Sequence, residues 1–481
     1  FALHTPSPRT ARLRLTQESR GDSPVELDPP EVRALPRRER TGGPPDVFLY
    51  LIDTLRADAV GVYGSPRPTT PNIDRFSSDA LVFTRALSPA PWTLPATTSI
   101  LSGLYPSHHG VIVAGDRLPQ TAPWLPALLS RRGFQTLGVS QWLLGGDAFG
   151  LDRGFQGFYA NVYQNAKTPS ANVRWFLWRY LLAPRAAGAG ARPPLFAYLH
   201  VVDPHALYRP GRQDRAFADE QPGGLTPDLY DPNVFMQQGY GKDPAEVAHL
   251  RALYDGEVHA ADRQFGAFLE QLRFFDLYEE SLIILVGDHG EEFFEHGGFD
   301  HGRTLYNELL RVPLIVKLPA SWRRTGRVET PVSTLSIAPT VLQVAGQGAG
   351  RVTGGPSAGA GFDGPSLTEV ARQETPRSAA PLFAETHVEQ VNQRAAFLEA
   401  VKCILNVSGL DRNAKPAPAF EAFNLTDDPR EKKPLALSDH GVLACKRGLE
   451  AWMAPKQAPA VEHGALAPED LAKLRALGYI H

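Results

Sequence analysis

The sequence predicts an α/β protein, with a mainly parallel central sheet, helices on both of its faces and a smaller C-terminal α+β subdomain. Two observations carry this. Residues Val47–Ile52 form a continuous apolar run of strand length, as expected of a strand buried on both faces. Comparable runs recur at 136–139, 195–199, 282–286 and 312–316, with helically patterned segments between them.

The remaining organisation follows from length and composition. With 481 residues, 43% of them hydrophobic, the chain can bury a large core and exceeds a minimal single domain. Residues 1–45, rich in Pro, Arg, Ser and Glu, read as an extended arm or linker, and 46–345 as the main domain. Residues 346–380, glycine-dominated over 346–366, read as a connection, and 381–481 as the C-terminal subdomain. A second insertion is expected at 183–194. From Pro244 to Phe274 the residues Val247, Leu250, Leu253, Tyr254, Val258, Ala261, Phe265, Phe268, Leu269 and Leu272 keep helical spacing, which predicts one long amphipathic helix.

A formal net charge of -3 gives no reason to expect nucleic acid or an anionic membrane surface as partner. No run approaches the roughly 18 apolar residues that cross a bilayer, so the chain as given reads as soluble. It begins at Phe1 rather than Met, from which we expect that an upstream piece was removed. The two cysteines, Cys403 and Cys445, lack zinc-site spacing and leave open one disulfide or two free buried thiols.

In open α/β sheets, functional groups gather where strands deliver their carboxyl ends. The first apolar run ends in Asp53-Thr54, and the run at 195–199 in His200, followed by Asp203-Pro204-His205. The run at 282–286 is followed by Gly287-Asp288-His289-Gly290. One Asp after a strand is ordinarily a helix cap. An Asp from one strand with an Asp-His pair from another makes an O/O/N shell for a divalent ion. In Pro91-Trp92-Thr93-Leu94-Pro95, Pro95 falls in the first turn of a short helix that ends at Gly103, so Thr93 lies at its N-terminus. Outward N–H groups there favour an anion, and a hydroxyl beside a cation can attack phosphorus or sulfur. Spacing alone leaves open that Thr93 merely caps the helix. The aromatic residues Trp142, Tyr159, Tyr208 and Trp322 suit either a pocket wall or simple packing.

Taken together, these motifs resemble the sulfatase-like branch of the alkaline phosphatase superfamily. Asp53-Thr54-Leu55-Arg56-Ala57-Asp58 with Tyr63-Gly64 and Thr70-Pro71-Asn72-Ile73-Asp74 is similar to the family's opening signature. Trp92 to Gly110 resembles its nucleophile helix, and Gly287-Asp288-His289-Gly290-Glu291 with Glu295-His296-Gly297 its second metal segment. Further likenesses lie at Leu253 to Val258, Arg311 to Val316, Ile337 to Thr340, Phe423 to Leu425 and Leu474 to Tyr479. The resemblance implies an alkaline-phosphatase-like α/β/α sandwich, an extracytoplasmic location and a small-molecule, lipid or glycan ester as substrate.

The departures from the family pattern bear on chemistry. Sulfatases make a formylglycine from Cys or Ser in Cys/Ser-x-Pro-x-Arg, where this chain has Thr93, Pro95 and Thr97. Oxidising threonine gives a ketone, so the standard sulfatase cycle is closed to it. The Lys and His of the family's Gly-Lys-Trp-His-Leu-Gly segment are replaced within Ser140-Gln141-Trp142-Leu143-Leu144-Gly145, and a third basic contact falls at His301. Thr54 stands where many sulfatases carry a second metal-binding Asp, and Asp58 reads as structural. Phosphoryl-handling branches use a threonine beside a divalent ion. The resemblance then implies a metal on Asp53, Thr93, Asp288 and His289, with Zn²⁺ or Mn²⁺ favoured over Ca²⁺ or Mg²⁺. It implies Thr93 as nucleophile, with His205, His301 and His200 as further catalytic candidates. Phosphodiester, phosphoester or phosphonate cleavage is the preferred reading. The alternatives are sulfate ester hydrolysis without formylglycine, and a catalytically inactive binding protein.

Overall fold

The computed structural model describes residues 43–141, 149–160, 177, 181, 193–206, 208–217, 243–346, 361–373, 380–454 and 462–463. The 1–45 arm up to residue 42, most of the 183–194 insertion, residues 347–360 of the glycine-rich stretch, and Trp142 lie outside them.

Eight strands form the central sheet: β1 (Val47–Ile52), β2 (Leu81–Phe83), β3 (Gln135–Ser140), β4 (Gly157–Ala160), β5 (Leu195–Val201), β6 (Leu282–Gly287), β7 (Leu314–Lys317) and β8 (Gly326–Val328). Their spatial order is β8-β2-β7-β6-β1-β5-β3-β4. From β6 through β1, β5 and β3 to β4 every pairing is parallel. The apolar run at 312–316 departs from that pattern, because β7 runs antiparallel to β6 and β2. The segment 288–313 re-enters the sheet beside the carboxyl end of β6, where the Gly287 N–H donates to the Pro313 carbonyl, so β7 runs back along its neighbour.

The alternation along β1 shows why its run is unbroken. Val47, Leu49 and Leu51 face one core with Ile100 and Leu101 of α1 (Thr93–Ser102) and Ile337 and Val341 of α3 (Ile337–Gly346). Phe48, Tyr50 and Ile52 face the other, against Phe265 and Phe268 of α2 (Pro244–Phe274). The Tyr50 ring lies 5.1 Å from both phenylalanine rings. Burying each such side chain contributes about 1.5–3 kcal/mol, so both faces of the strand are paid in hydrophobic burial. The predicted helix is observed as one element of 31 residues, with Leu250, Tyr254, Val258, Ala261, Phe265, Phe268 and Leu272 buried at helical spacing. Asp243 caps its N-terminus by accepting from the Ala245 N–H.

Residues 361–373 of the connection fold back onto the main core. Leu367 and Val370 are buried beside α3, and the Leu367 N–H donates to Thr340 Oγ1 at 2.7 Å. The C-terminal subdomain is an antiparallel sheet in chain order: β9 (Leu382–Val388), β10 (Val391–Leu398), β11 (Val401–Asn406) and β12 (Phe420–Asn424). Ala395, Phe397, Ile404 and Phe423 on one face pack on Leu87, Leu305 and Leu310 of the main domain. The other face carries α4 (His440–Met453), joined to β11 by a Cys403–Cys445 disulfide that settles the question the sequence left open. Among the described residues no helix is long and apolar enough to cross a membrane.

Replacing both cysteines by serine is expected to destabilise the chain by about 2–4 kcal/mol, because the bond closes a long loop. An unchanged denaturation midpoint in the double variant would show that the staple contributes nothing.

Candidate active site

Parallel registry sets the geometry. Ile52 is paired with Gly287 of β6 and with Val201 of β5, so Asp53 and Asp288 leave neighbouring strands at the same level. Both are fully buried. Thr54 follows in the left-handed region, φ 56°, an uncommon place for a β-branched residue. Its backbone is held there at both ends: the N–H donates to Asp288 Oδ1 at 3.2 Å, and the carbonyl accepts from the Tyr254 hydroxyl at 2.7 Å. Such strain concentrates at functional sites.

Thr93 is the first residue of α1, and its side chain does not cap the helix. Its hydroxyl lies 3.2 Å from His289 Nε2 and 3.5 Å from Asp53 Oδ2. His289 Nδ1 lies 2.9 Å from its neighbour's carbonyl at Gly290, which places the ring proton on Nδ1 and turns the Nε2 lone pair toward Thr93. Asp288 Oδ1 accepts from the His289 N–H at 2.8 Å. Asp53 Oδ1 and Asp288 Oδ2 are buried with no hydrogen-bond partner, each 3.5 Å from His289 Nε2. Asp53, Asp288 and His289 offer donor atoms all within 4.8 Å of one another. Unpaired buried carboxylate oxygens are costly, and two of them facing an imidazole nitrogen fit a divalent cation.

The electrostatics agree with that donor set. Burial pushes the Asp53 carboxyl up, but the His200 hydrogen bond and the surrounding histidine charges outweigh it and hold the group well below its usual range. Burial, and then the Asp53 charge, push Asp288 well above the usual range. Burial, with His301 adding repulsion, pulls His289 down to about 3.

A second layer surrounds His301. Its Nδ1 lies 2.8 Å from Glu291 Oε1 and 2.9 Å from Asp300 Oδ1. Glu291 also accepts from the Tyr208 hydroxyl at 2.9 Å, and burial raises its carboxyl to about 7. The His301 ring centroid is 4.5 Å from that of His289 and 5.0 Å from that of His205. His205 Nδ1 lies 2.6 Å from the Ala206 carbonyl, and burial lowers its basicity.

All four expected metal-shell residues, Asp53, Thr93, Asp288 and His289, therefore meet at one point, with His301 and then His205 alongside. His200 adjoins the set through Asp53: its Nε2 lies 3.0 Å from Asp53 Oδ2, the oxygen that Thr93 approaches, and its Nδ1 3.2 Å from Ser140 Oγ, so it positions that carboxylate. Asp58 pairs with Arg56 and Arg251. Thr97, where sulfatases carry Arg, bonds back to the Thr93 carbonyl at 2.7 Å. Gln141 accepts from the Val202 N–H. Of the aromatics, Tyr208 is buried, Tyr159 is exposed and Trp322 packs on the core. Sequence reasoning missed Glu291, Asp300 and Ser140 as partners of the histidines. Glu291 followed the Asp-His pair in plain view, but nothing in spacing tied it to a residue across a hairpin.

An α/β sheet with a buried Asp, Asp, His and Thr set at its carboxyl end defines a class of candidate metallohydrolase sites. The family model "Sulfatase" matches residues 45–347, and the chain belongs to the sulfatase family. An ulvan-active sulfatase from Formosa agariphila is 25% identical over 319 residues, covering 62% of this chain and 61% of that protein. The chain thus spans about three-fifths of the length of that relative. Human arylsulfatase A is 28% identical over 339 residues, 64% of this chain and 66% of that one. Among solved structures, a phosphonate monoester hydrolase of Agrobacterium radiobacter superposes with a TM-score of 0.62 at 18% identity, covering 91% of this chain and 96% of its own. At that identity the likeness is one of fold.

Proposed function

We propose that the chain is a metal-dependent ester hydrolase with Thr93 as nucleophile, acting on phosphodiester, phosphoester or phosphonate bonds of a small-molecule, lipid or glycan substrate. The observation that carries this reading is the buried Thr93 hydroxyl, 3.2 Å from His289 Nε2 and 3.5 Å from Asp53 Oδ2, with two carboxylate oxygens without hydrogen-bond partners 3.5 Å from the same imidazole nitrogen. Asp53, Thr93, Asp288 and His289 would hold one divalent ion, and the histidine in a small shell favours Zn²⁺ or Mn²⁺. When bound, such an ion supplies Lewis acidity that lowers the pKa of the hydroxyl and offsets charge on a non-bridging oxygen.

The chain's own groups do the rest. Deprotonated Thr93 Oγ1 forms a bond to phosphorus as the bond to the ester leaving oxygen breaks. The first N–H groups of α1 stabilise the non-bridging oxygens. His205 and His301 hold those oxygens or give the leaving oxygen its proton. Water, or an acceptor alcohol, then displaces Thr93 from phosphorus. His200 acts through Asp53, fixing the carboxylate that faces the hydroxyl.

A second reading, direct attack of Thr93 on sulfate esters, is supported by membership of the sulfatase family. Paired aryl phosphodiester, phosphomonoester and sulfate esters separate the two, and turnover of sulfate alone would overturn the preference for phosphorus. The disulfide supports an extracytoplasmic location, since such bonds persist in oxidising compartments.

Dialysed protein is expected to keep about one divalent ion per chain by elemental analysis, and an empty site would favour the inactive binding protein. Thr93→Ala should lower kcat/KM by about 10⁴-fold or more with an unchanged circular dichroism spectrum. His200→Asn should weaken metal affinity by about 10–100-fold in a metal-buffered titration. Burial and the Asp53 charge raise the Asp288 carboxyl well above its usual range, so metal loading competes with its proton. Affinity should then rise with pH, with proton release seen by calorimetry in buffers of differing ionisation heat.

A further inference from the structure

A cavity of about 250 Å³ lies between the C-terminal sheet and the segment that follows the second metal motif. Its inner wall is Arg303, Thr304 and Tyr306, only two to five positions beyond His301; its outer wall is Gln393 of β10, Ile404 of β11 and Glu421 of β12. In an antiparallel sheet, residues on one face alternate with those on the other. Gln393 therefore shares the inward face with Ala395 and Phe397, which pack on the main domain, and brings a polar amide to the end of an otherwise apolar seam.

The charged groups of this cavity have partners within the fold: His296 is bonded to Glu308, and Asp411 accepts from the Asn413 and Lys415 N–H groups. Arg303 makes two contacts to Glu389, at 3.1 and 3.3 Å. Arg412 is paired with the buried Glu292 carboxylate, and the Tyr306 hydroxyl donates to Glu421 at 2.9 Å. An anion entering the cavity would have to break one of the arginine pairs. What stays unmatched is neutral: Thr304 Oγ1 and Gln393 Oε1 are buried and without a hydrogen-bond partner, and Thr304 is only 8% exposed. Buried polar atoms are almost always satisfied by protein, water or ligand. Apolar C–H surface from Ile404, Pro416 and Pro418 completes the lining.

We propose that this cavity binds an uncharged, polyhydroxylated ligand, with Thr304 and Gln393 meeting its hydroxyls and the apolar wall meeting its C–H faces. That this ligand is the sugar-like part of the ester substrate rests on the hydrolase reading; that the cavity binds it does not. The chain from Asp288 to Pro313 builds metal-type donors at its start and this wall near its end, so one segment contributes to both places.

The test is saturation-transfer NMR on the full chain with the methyl glycosides of glucose, galactose and N-acetylglucosamine as probes, before and after treatment with a chelator. At least one glycoside is expected to bind, to stay bound after chelation, and to weaken by about fivefold or more in the near-isosteric double variant Thr304→Val/Gln393→Leu. Absence of binding, binding lost on chelation, binding unchanged in the double variant, or displacement by inorganic sulfate would each overturn the proposal. Should the double variant fail to fold, crystals soaked in the bound glycoside decide: density in this cavity supports the site, and density only elsewhere refutes it. Hydrolase activity is assayed separately, so glycoside binding without turnover would sink the catalytic reading and leave this one standing.

Discussion

Two buried carboxylates on adjacent parallel strands are the constraint from which the site follows. Equal registry of β1 and β6 makes Asp53 and Asp288 neighbours, and burial keeps water from separating their charges. The chain answers with hydrogen bonds and imidazoles. His200 bonds Asp53 Oδ2, the Thr54 and His289 N–H groups bond Asp288, and His289 presents an unprotonated nitrogen to both. Two oxygens are still left over, both 3.5 Å from His289 Nε2, the nitrogen that Thr93 also approaches. The left-handed backbone at Thr54 belongs to the same arrangement, since it lets one residue donate to Asp288 and accept from α2.

The same reasoning explains why the surrounding groups come in layers. His301 stands next to His289, and its Nδ1 is held by Glu291 and Asp300. Tyr208 fixes Glu291 in turn. Each polar group near the centre is thereby oriented by another that is itself buried, which is how a site keeps its geometry without support from solvent.

Much of this was legible in the sequence, and the limits have physical reasons. An unbroken apolar run of strand length suits a strand covered on both faces, so β1, and with it the position of Asp53, could be read from the sequence. The helix of α2 declared itself by periodicity. Strand direction is different, because apolar composition is blind to it; β7 is antiparallel because the chain re-enters the sheet at the carboxyl end of β6. The disulfide was equally hidden, since Cys403 and Cys445 meet through the packing of a helix on a sheet, which spacing does not encode. His200 was legible as a polar residue at a strand end, but which way its ring turned depended on Ser140 across the sheet. The partners of His301 depended on a hairpin that brings Asp300 back beside Glu291.

The excursion from Asp288 to Pro313 starts and finishes on strands that are hydrogen-bonded to each other. Its two ends are therefore anchored a few ångströms apart, and the loop can change in length or content without pulling on the rest of the sheet. It behaves as a cassette. Exchanged between homologues as a single block, it would carry the histidines and the adjoining wall together while leaving the threonine helix and the first carboxylate in the recipient scaffold, a natural unit for recombination by evolution or in the laboratory.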